Sequence, residues 1–225
     1  MEKKISYYNN FSKSKFSKLT IQERFEKIYN ENSWESNESR SGIGSEIKNT
    51  KEVLRAINQI IKQYNIKSII DIPCGDFNWM SSLDMKNINY KGFDIVNSAI
   101  EENNKNFKKT NINFYCSDIT SSELTKGDLM FVRDCLVHFS YEDIKKSRFR
   151  IKQSKSKDLM STSFVNLEKN IDIYSAGWRP VNLEKEPFNF PKPLITFNEK
   201  CNEMDGIYAD KSICLWEIEK LPDLS

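Results

Sequence analysis

Residues 68–79 read Ser-Ile-Ile-Asp-Ile-Pro-Cys-Gly-Asp-Phe-Asn-Trp: a short apolar run (Ile69, Ile70, Ile72), an acid and a tight turn. Such a run predicts the first strand of a doubly wound α/β sheet, with a helix after the turn. Two further runs end in the same way. Tyr90-Lys91-Gly92-Phe93-Asp94-Ile95 carries an acid 23 residues beyond Asp71, and Cys116-Ser117-Asp118-Ile119 closes a third run. An acid at the end of the second strand is where a ribose is held by its hydroxyls. Three strand ends that each bear an Asp predict an adenosine site along the carboxyl edge of a parallel sheet.

Periodicity extends the pattern. Strands are expected at about 67–72, 89–95, 112–117, 128–133, 158–165, 194–198 and 212–219. Helices are expected from the capping box at Thr20 to Asn30, from a cap at Thr50 to Tyr64, and at about 78–84, 96–107 and 141–153. The stretch 166–193 holds Gly177, Pro180, Pro187, Pro191 and Pro193, which excludes long helices and central strands. The expected fold is α/β: a doubly wound, Rossmann-like, seven-stranded, mostly parallel sheet with an antiparallel C-terminal hairpin. Residues 1–49 are expected to form an N-terminal helical cap and lid, with 31–46 mobile until ligand binds. Residues 50–225 form the main domain.

The chain has 225 residues, enough for one decorated domain at roughly 100–200 residues per domain. A net charge of +2 gives no basic footprint for nucleic acid. No apolar stretch follows Lys3 and Lys4, so no signal peptide is read, and no run approaches the ~18 apolar residues of a spanning helix. The five cysteines (74, 116, 135, 201 and 214) are odd in number and lack CxxC spacing. Reduced thiols and a cytoplasmic location are expected.

The first turn narrows the ligand. Backbone that presses on a pyrophosphate wants G-x-G-x-x-G, and here only Gly75 is a glycine. A phosphate-free adenosine ligand such as S-adenosylmethionine makes weaker demands. At these residues the chain resembles the Rossmann-like (class I) S-adenosylmethionine-dependent methyltransferases. Asp71-Ile72-Pro73-Cys74-Gly75-Asp76 is similar to their first motif, Asp94 to the ribose acid, and Ser117-Asp118-Ile119 to the adenine-side motif. Pro73 and Phe77 stand where the common pattern has glycines. The resemblance implies a cofactor site of Asp71, Pro73, Cys74, Gly75, Asp76, Trp79, Asp94, Ile95, Ser117, Asp118, Ile119 and Arg133.

A narrower resemblance spans about 34–220. It rests on Trp34, Ser41-Gly42-Ile43-Gly44-Ser45, the 71–80 motif, Arg133-Asp134-Cys135-Leu136-Val137-His138, Asn170, Asp172, Gly177-Trp178-Arg179-Pro180, Asn182 and Pro187-Phe188. These motifs resemble a group of bacterial methyltransferases associated with surface-polysaccharide genes. The group implies O-methylation of a capsular phosphoramidate or of its nucleotide-activated precursor.

His138 is the only histidine and follows the fourth expected strand at the ligand-binding edge. If 134–138 form a helical turn, Asp134 and His138 share a face, and the acid can orient an imidazole acting as general base. The alternative is a His packed under the adenosine. Trp34, Arg40, Ser41, Trp178, Arg179 and Asn182 are the expected acceptor contacts, because an aromatic beside an Arg suits a sugar or phosphate-bearing molecule. For Trp178 the alternative is packing, and for 41–45 a linker. A metal is not expected from one His and scattered acids. The acceptor is expected to be a small molecule or a sugar- or nucleotide-linked group, with neither nucleic acid nor membrane as partner. The rival readings are a non-catalytic cofactor-binding module, a nucleic-acid methyltransferase and a nicotinamide dehydrogenase.

Overall fold

The computed structural model describes residues 13–223; residues 1–12 of the expected cap lie outside them. Seven strands form one sheet: β1 (Ser68–Asp71), β2 (Asn89–Asp94), β3 (Ile112–Cys116), β4 (Leu129–Val132), β5 (Asp158–Phe164), β6 (Ile195–Asn198) and β7 (Lys211–Glu217). Their order is β3-β2-β1-β4-β5-β7-β6. The pairs from β3 through β5 are parallel, and β7 runs antiparallel to both of its neighbours. The chain thus has the expected mostly parallel sheet closed by an antiparallel hairpin. The strand order turns between β1 and β4, which is where ligands bind in open α/β sheets.

Both faces of the sheet are covered, so β4 and β5 are buried throughout; every residue of β4 is apolar and buried. Alternate residues point to opposite layers. Ile69, Leu129, Phe131, Ile213 and Leu215 pack with Val53, Ala56, Ile57 and Ile60 of helix α2 (Ile47–Tyr64). Ile70, Met130, Val132, Leu159 and Trp216 pack on the other face. Their partners are Phe25 and Ile28 of α1 (Ile21–Asn30) and Ile144 and Ile151 of α4 (Tyr141–Gln153). Between β2 and β3, α3 (Asn97–Asn106) completes the helical set. The Thr20–Glu23 capping box starts α1, and Ser140 caps α4.

Two helix expectations are corrected. Helix α2 starts at Ile47, not after Thr50. Glu38 accepts the Ile47 amide at 2.6 Å, while the Thr50 hydroxyl turns back to the carbonyls of Glu46 and Ile47. The helix expected at 78–84 is a single 3-10 turn, Met80–Ser82. Phe77 enters it at φ +57°, outside helical space, and Trp79 and Met80 are drawn into the core.

The Pro-rich segment before β6 has no regular structure and is held by buried polar side chains. Arg179, expected to meet the acceptor, is fully buried instead. Its guanidinium donates to the carbonyls of Leu136 (2.7 Å), Phe139 (2.7 Å) and Ile171 (3.1 Å). Burial pulls its pKa down to about 10, so it remains a cation at neutral pH. Asn182 is likewise a buried strut: its amide N–H donates to Asn170 Oδ1, and its Nδ2 donates to the carbonyl of Leu167. Neither belongs to the walls of the two cavities at the carboxyl edge. Hydrogen bonds to a charged donor stabilise strongly, and their loss takes that donor from three carbonyls, of which Leu136 alone keeps another, the Phe139 amide at 3.3 Å. Arg179→Ala should therefore lower unfolding free energy by about 3 kcal/mol or more in denaturant titration. A loss below about 1 kcal/mol, the worth of one ordinary hydrogen bond, would refute this anchoring role.

Candidate functional site

Asp71 ends β1 and is almost fully buried. Its Oδ2 accepts the Tyr90 hydroxyl at 2.5 Å, and its Oδ1 has no partner among the described residues. Burial raises its pKa to about 8. Asp94 ends β2 and accepts the amides of Gly75 and Val96, both at 2.9 Å. Burial raises its pKa to about 6, against the pull of those amides, so Asp94 is ionised at neutral pH. Asp118 follows β3 and accepts the Thr120 amide at 2.8 Å and the hydroxyls of Thr120 and Ser121, shaping its own turn.

The first turn departs from the glycine-rich pattern without losing its path. Phe77 takes a left-handed conformation, and its ring is held by Tyr90, Phe107 and Phe114 at centroid distances of 4.9–5.2 Å. Gly75 is required at φ +55°, because a Cβ there would collide with Ser41 Oγ. From α3, Asn103 Nδ2 fixes the Gly75 carbonyl at 2.7 Å, a contact that sequence reading missed.

Residues 36–46 lie against this turn. Asp76 accepts the Ser39 hydroxyl (2.9 Å), the Arg40 amide (2.8 Å) and the Ser41 hydroxyl (3.3 Å), and its own amide donates to Ser41 Oγ (3.1 Å). Ser36 and Ser39 are buried, so the segment is more firmly anchored than its composition predicts. The Arg40 side chain, expected to contact the acceptor, donates instead to the carbonyls of Tyr29 and Asn30. That is the negative end of the α1 dipole.

Two cavities meet above the carboxyl edge. The first, about 980 Å³ including its mouth, is lined by Asp71, Pro73, Cys74, Gly75, Asp76, Trp79, Asp94, Ile95, Ser117, Asp118, Ile119 and Arg133, with Phe25 and Tyr29 from α1. The second, about 1100 Å³, has four aromatic walls in Trp34, Phe164, Trp178 and Tyr208, and carries Glu203 and Lys211. Trp34, Ser41, Ser45, Asp134 and His138 line both. Of the expected acceptor residues, Trp34, Ser41 and Trp178 therefore face one or both of these cavities, while Arg40, Arg179 and Asn182 line neither. Trp178 also packs on Phe164 and Tyr208, at 6.2 and 4.9 Å between ring centroids.

The expected Asp134–His138 pairing is corrected. Asp134 sits at φ +50°, and only Leu136–His138 form a 3-10 turn, so the two do not stack along a helix. Asp134 instead meets Lys211 Nζ at 2.7 Å and Arg133 Nη1 at 3.3 Å, cations that hold its carboxyl well below the usual range. Arg133 also donates to Glu199 Oε2 at 2.8 Å and to the Gly44 carbonyl at 3.0 Å. Lys211 and Glu199 belong to the terminal hairpin and were not foreseen. The one signal was a charge beside each strand: Glu199 just after β6 and Lys211 at the start of β7.

His138 Nδ1 lies 2.7 Å from the Gly177 carbonyl. A carbonyl only accepts, so Nδ1 bears the hydrogen and the neutral ring keeps Nε2 as a free acceptor. Burial lowers the His138 pKa from its usual 6.5, which keeps the ring neutral at neutral pH. Trp34 and Phe25 flank it at 5.4 and 6.4 Å.

No family model matches the chain, and no curated protein matches its sequence. Solved structures match its fold. Magnesium protoporphyrin IX methyltransferase from Synechocystis PCC 6803 with bound SAH aligns at a TM-score of 0.54 and 12% identity, over 75% of this chain and 83% of that one. Human N-acetylserotonin methyltransferase in complex with SAM aligns at 0.52 and 12%, over 74% of this chain and 50% of that one. The cyclase SpnF aligns at 0.52 and 13%, over 73% and 80%. The chain thus spans only half the length of the human enzyme, and at these identities the likeness is one of fold.

The Asp76 anchor generates a test. Asp76→Ala removes the carboxylate that accepts from Ser39, Arg40 and Ser41, and leaves only the residue 76 amide bonded to Ser41 Oγ. Limited proteolysis between residues 36 and 46 should then accelerate at least ~tenfold, the factor for about 1.4 kcal/mol of lost local stability. Unchanged cleavage would show that the segment is held by other contacts.

Proposed function

We propose that the protein is an S-adenosylmethionine-dependent methyltransferase acting on a small-molecule or sugar-linked acceptor. The observation that carries this reading is the junction of the two cavities: His138, Asp134 and Trp34 belong to the walls of both. A donor cleft and an acceptor chamber need such a shared boundary. The Synechocystis and human neighbours, described with SAH and SAM, support the same cofactor.

The residues of the first cavity fit the cofactor. Asp94 is an ionised acceptor for ribose hydroxyls. Asp118 and the main chain at Ile119 offer an acceptor and a donor for the edge of an adenine. Asp71 Oδ1, buried and unpartnered, offers a seat for a positively charged amino group, whose charge would displace the proton that burial holds on the carboxyl. When bound, S-adenosylmethionine supplies a methyl group made electrophilic by its sulfonium, for in-line transfer to a nucleophilic oxygen. The protein's main task is alignment, which can contribute ~7–11 kcal/mol. His138 takes the proton of an acceptor hydroxyl at Nε2, and the Gly177 carbonyl holds the ring in the tautomer that makes this possible. An acceptor oxygen already ionised needs no base, and His138 then serves as a contact.

The finer reading follows the resemblance in the motifs: O-methylation of a capsular phosphoramidate or its nucleotide-activated precursor. The aromatic walls of the chamber suit a ring, and Lys211 brings a cation to its lining. Residues 1–49 act as cap and lid over the domain 50–225 in this reading. No helix among the described residues is long and apolar enough to cross a membrane, which accords with a cytoplasmic enzyme. The cyclase SpnF shares the fold at similar identity, so the fold leaves one alternative open, a cofactor-binding protein that transfers no methyl group. Incubating a source lysate with methyl-labelled S-adenosylmethionine and the protein separates the two, because only a methyltransferase labels an acceptor.

Two variants test the residue roles. Asp94→Ala should weaken S-adenosylhomocysteine binding by ~1.5–3 kcal/mol in calorimetry, the worth of hydrogen bonds to a charged group. Unchanged affinity would remove Asp94 from the ribose role. His138→Asn should keep that affinity within about threefold, a shift near 0.65 kcal/mol, yet reduce labelling of the acceptor at least ~100-fold. Because burial lowers the His138 pKa, the base form predominates above it. Wild-type turnover should rise with pH through a value below 6.5 and then stay flat. A flat profile with surviving turnover in the variant would mean that the acceptor arrives as an anion.

A further inference from the structure

Tyr29, next to last in α1, is 5% exposed, and its hydroxyl has no hydrogen-bond partner among the described residues. Buried hydroxyls are nearly always paired, by protein, water or ligand. This one belongs to a side chain that lines the first cavity, beside Asp76 and Asp94. No described residue uses it.

We propose that the Tyr29 hydroxyl binds a ribose hydroxyl of the adenosine ligand and completes the contact begun by Asp94. The inference rests on the adenosine reading of the first cavity. Asp94 is acceptor-only: each of its oxygens takes one main-chain amide and keeps further lone pairs, but it has no hydrogen to give. A ribose hydroxyl that donates to Asp94 still has oxygen lone pairs to satisfy. The phenol supplies that donor. The charges around Tyr29 select against the other end of the ligand. Asp76, Asp94 and Glu102 bear on it, and the one opposing cation, Arg40, is bonded to the carbonyls of Tyr29 and Asn30. A neutral hydroxyl suits that setting and an amino-acid carboxylate does not. The site then extends beyond the sheet: a helix of the N-terminal cap holds the sugar, and Arg40 keeps that helix end beside residues 36–46.

The test compares Tyr29→Phe with wild type by calorimetry, using two probes. S-adenosylhomocysteine carries both ribose and amino acid; methylthioadenosine carries only the nucleoside end. Tyr29→Phe should weaken both by the same factor, about three- to tenfold, as expected for one neutral hydrogen bond. It should leave the unfolding midpoint of the ligand-free protein unchanged or higher, since the hydroxyl bonds nothing there. A loss confined to S-adenosylhomocysteine would move the phenol to the amino-acid end and overturn the ribose assignment. Equal affinities for variant and wild type would remove Tyr29 from the site. Wild-type protein that binds neither probe would overturn the adenosine reading, and this inference with it.

Discussion

Three main-chain carbonyls converge on the guanidinium of Arg179, and most of the site's geometry hangs from that convergence. Leu136 and Phe139 belong to the turn after β4, and Ile171 to the Pro-rich segment before β6. The same segment sends the Ala176 amide to the His138 carbonyl and the Arg179 amide to the Val137 carbonyl, at 2.8 and 3.0 Å. A stretch without helix or strand is thereby locked to the edge of the sheet. Gly177, two residues before Arg179, is then in place to accept from His138. The tautomer of the only imidazole is a product of how the Pro-rich segment packs.

Charge is sorted across the two cavities. Asp71 and Asp94 face the first cavity with few cations near, and desolvation pushes both upward. Asp134, whose side chain is about a quarter exposed, moves the other way, because Lys211 and Arg133 stand against it. The four charges of Arg133, Asp134, Glu199 and Lys211 cancel as a set, which removes most of the penalty of burying any one of them. They also join β4 to the terminal β6–β7 hairpin, so the strands farthest along the chain help to shape the boundary between the cavities.

The frame of this site could be read from the sequence because it rests on local signals. Apolar runs that end in Asp71, Asp94 and Asp118 need only period and punctuation to be recognised. The capping box at Thr20 and the cap at Ser140 are equally local. What escaped depends on distant partners. His138 meets Gly177, 39 residues away, and Asp134 meets Lys211, 77 residues away. An Arg beside a Trp looks alike in sequence whether it greets a ligand or threads into carbonyls, and so Arg179 was misassigned. The helix expected at 78–84 failed for a related reason: packing of Phe77 among three rings outweighs the helical preference of the residues after it.

Ser41 Oγ occupies the space that a side chain at residue 75 would fill, and it accepts the Asp76 amide from that position. Withdrawal of the serine would leave a methyl-sized hollow with an exposed N–H at its floor, room and polarity enough for one water molecule. The Asp76 amide thus depends on residues 36–46 for its acceptor. Were that segment to lift, the amide would need a water in place of Ser41 Oγ.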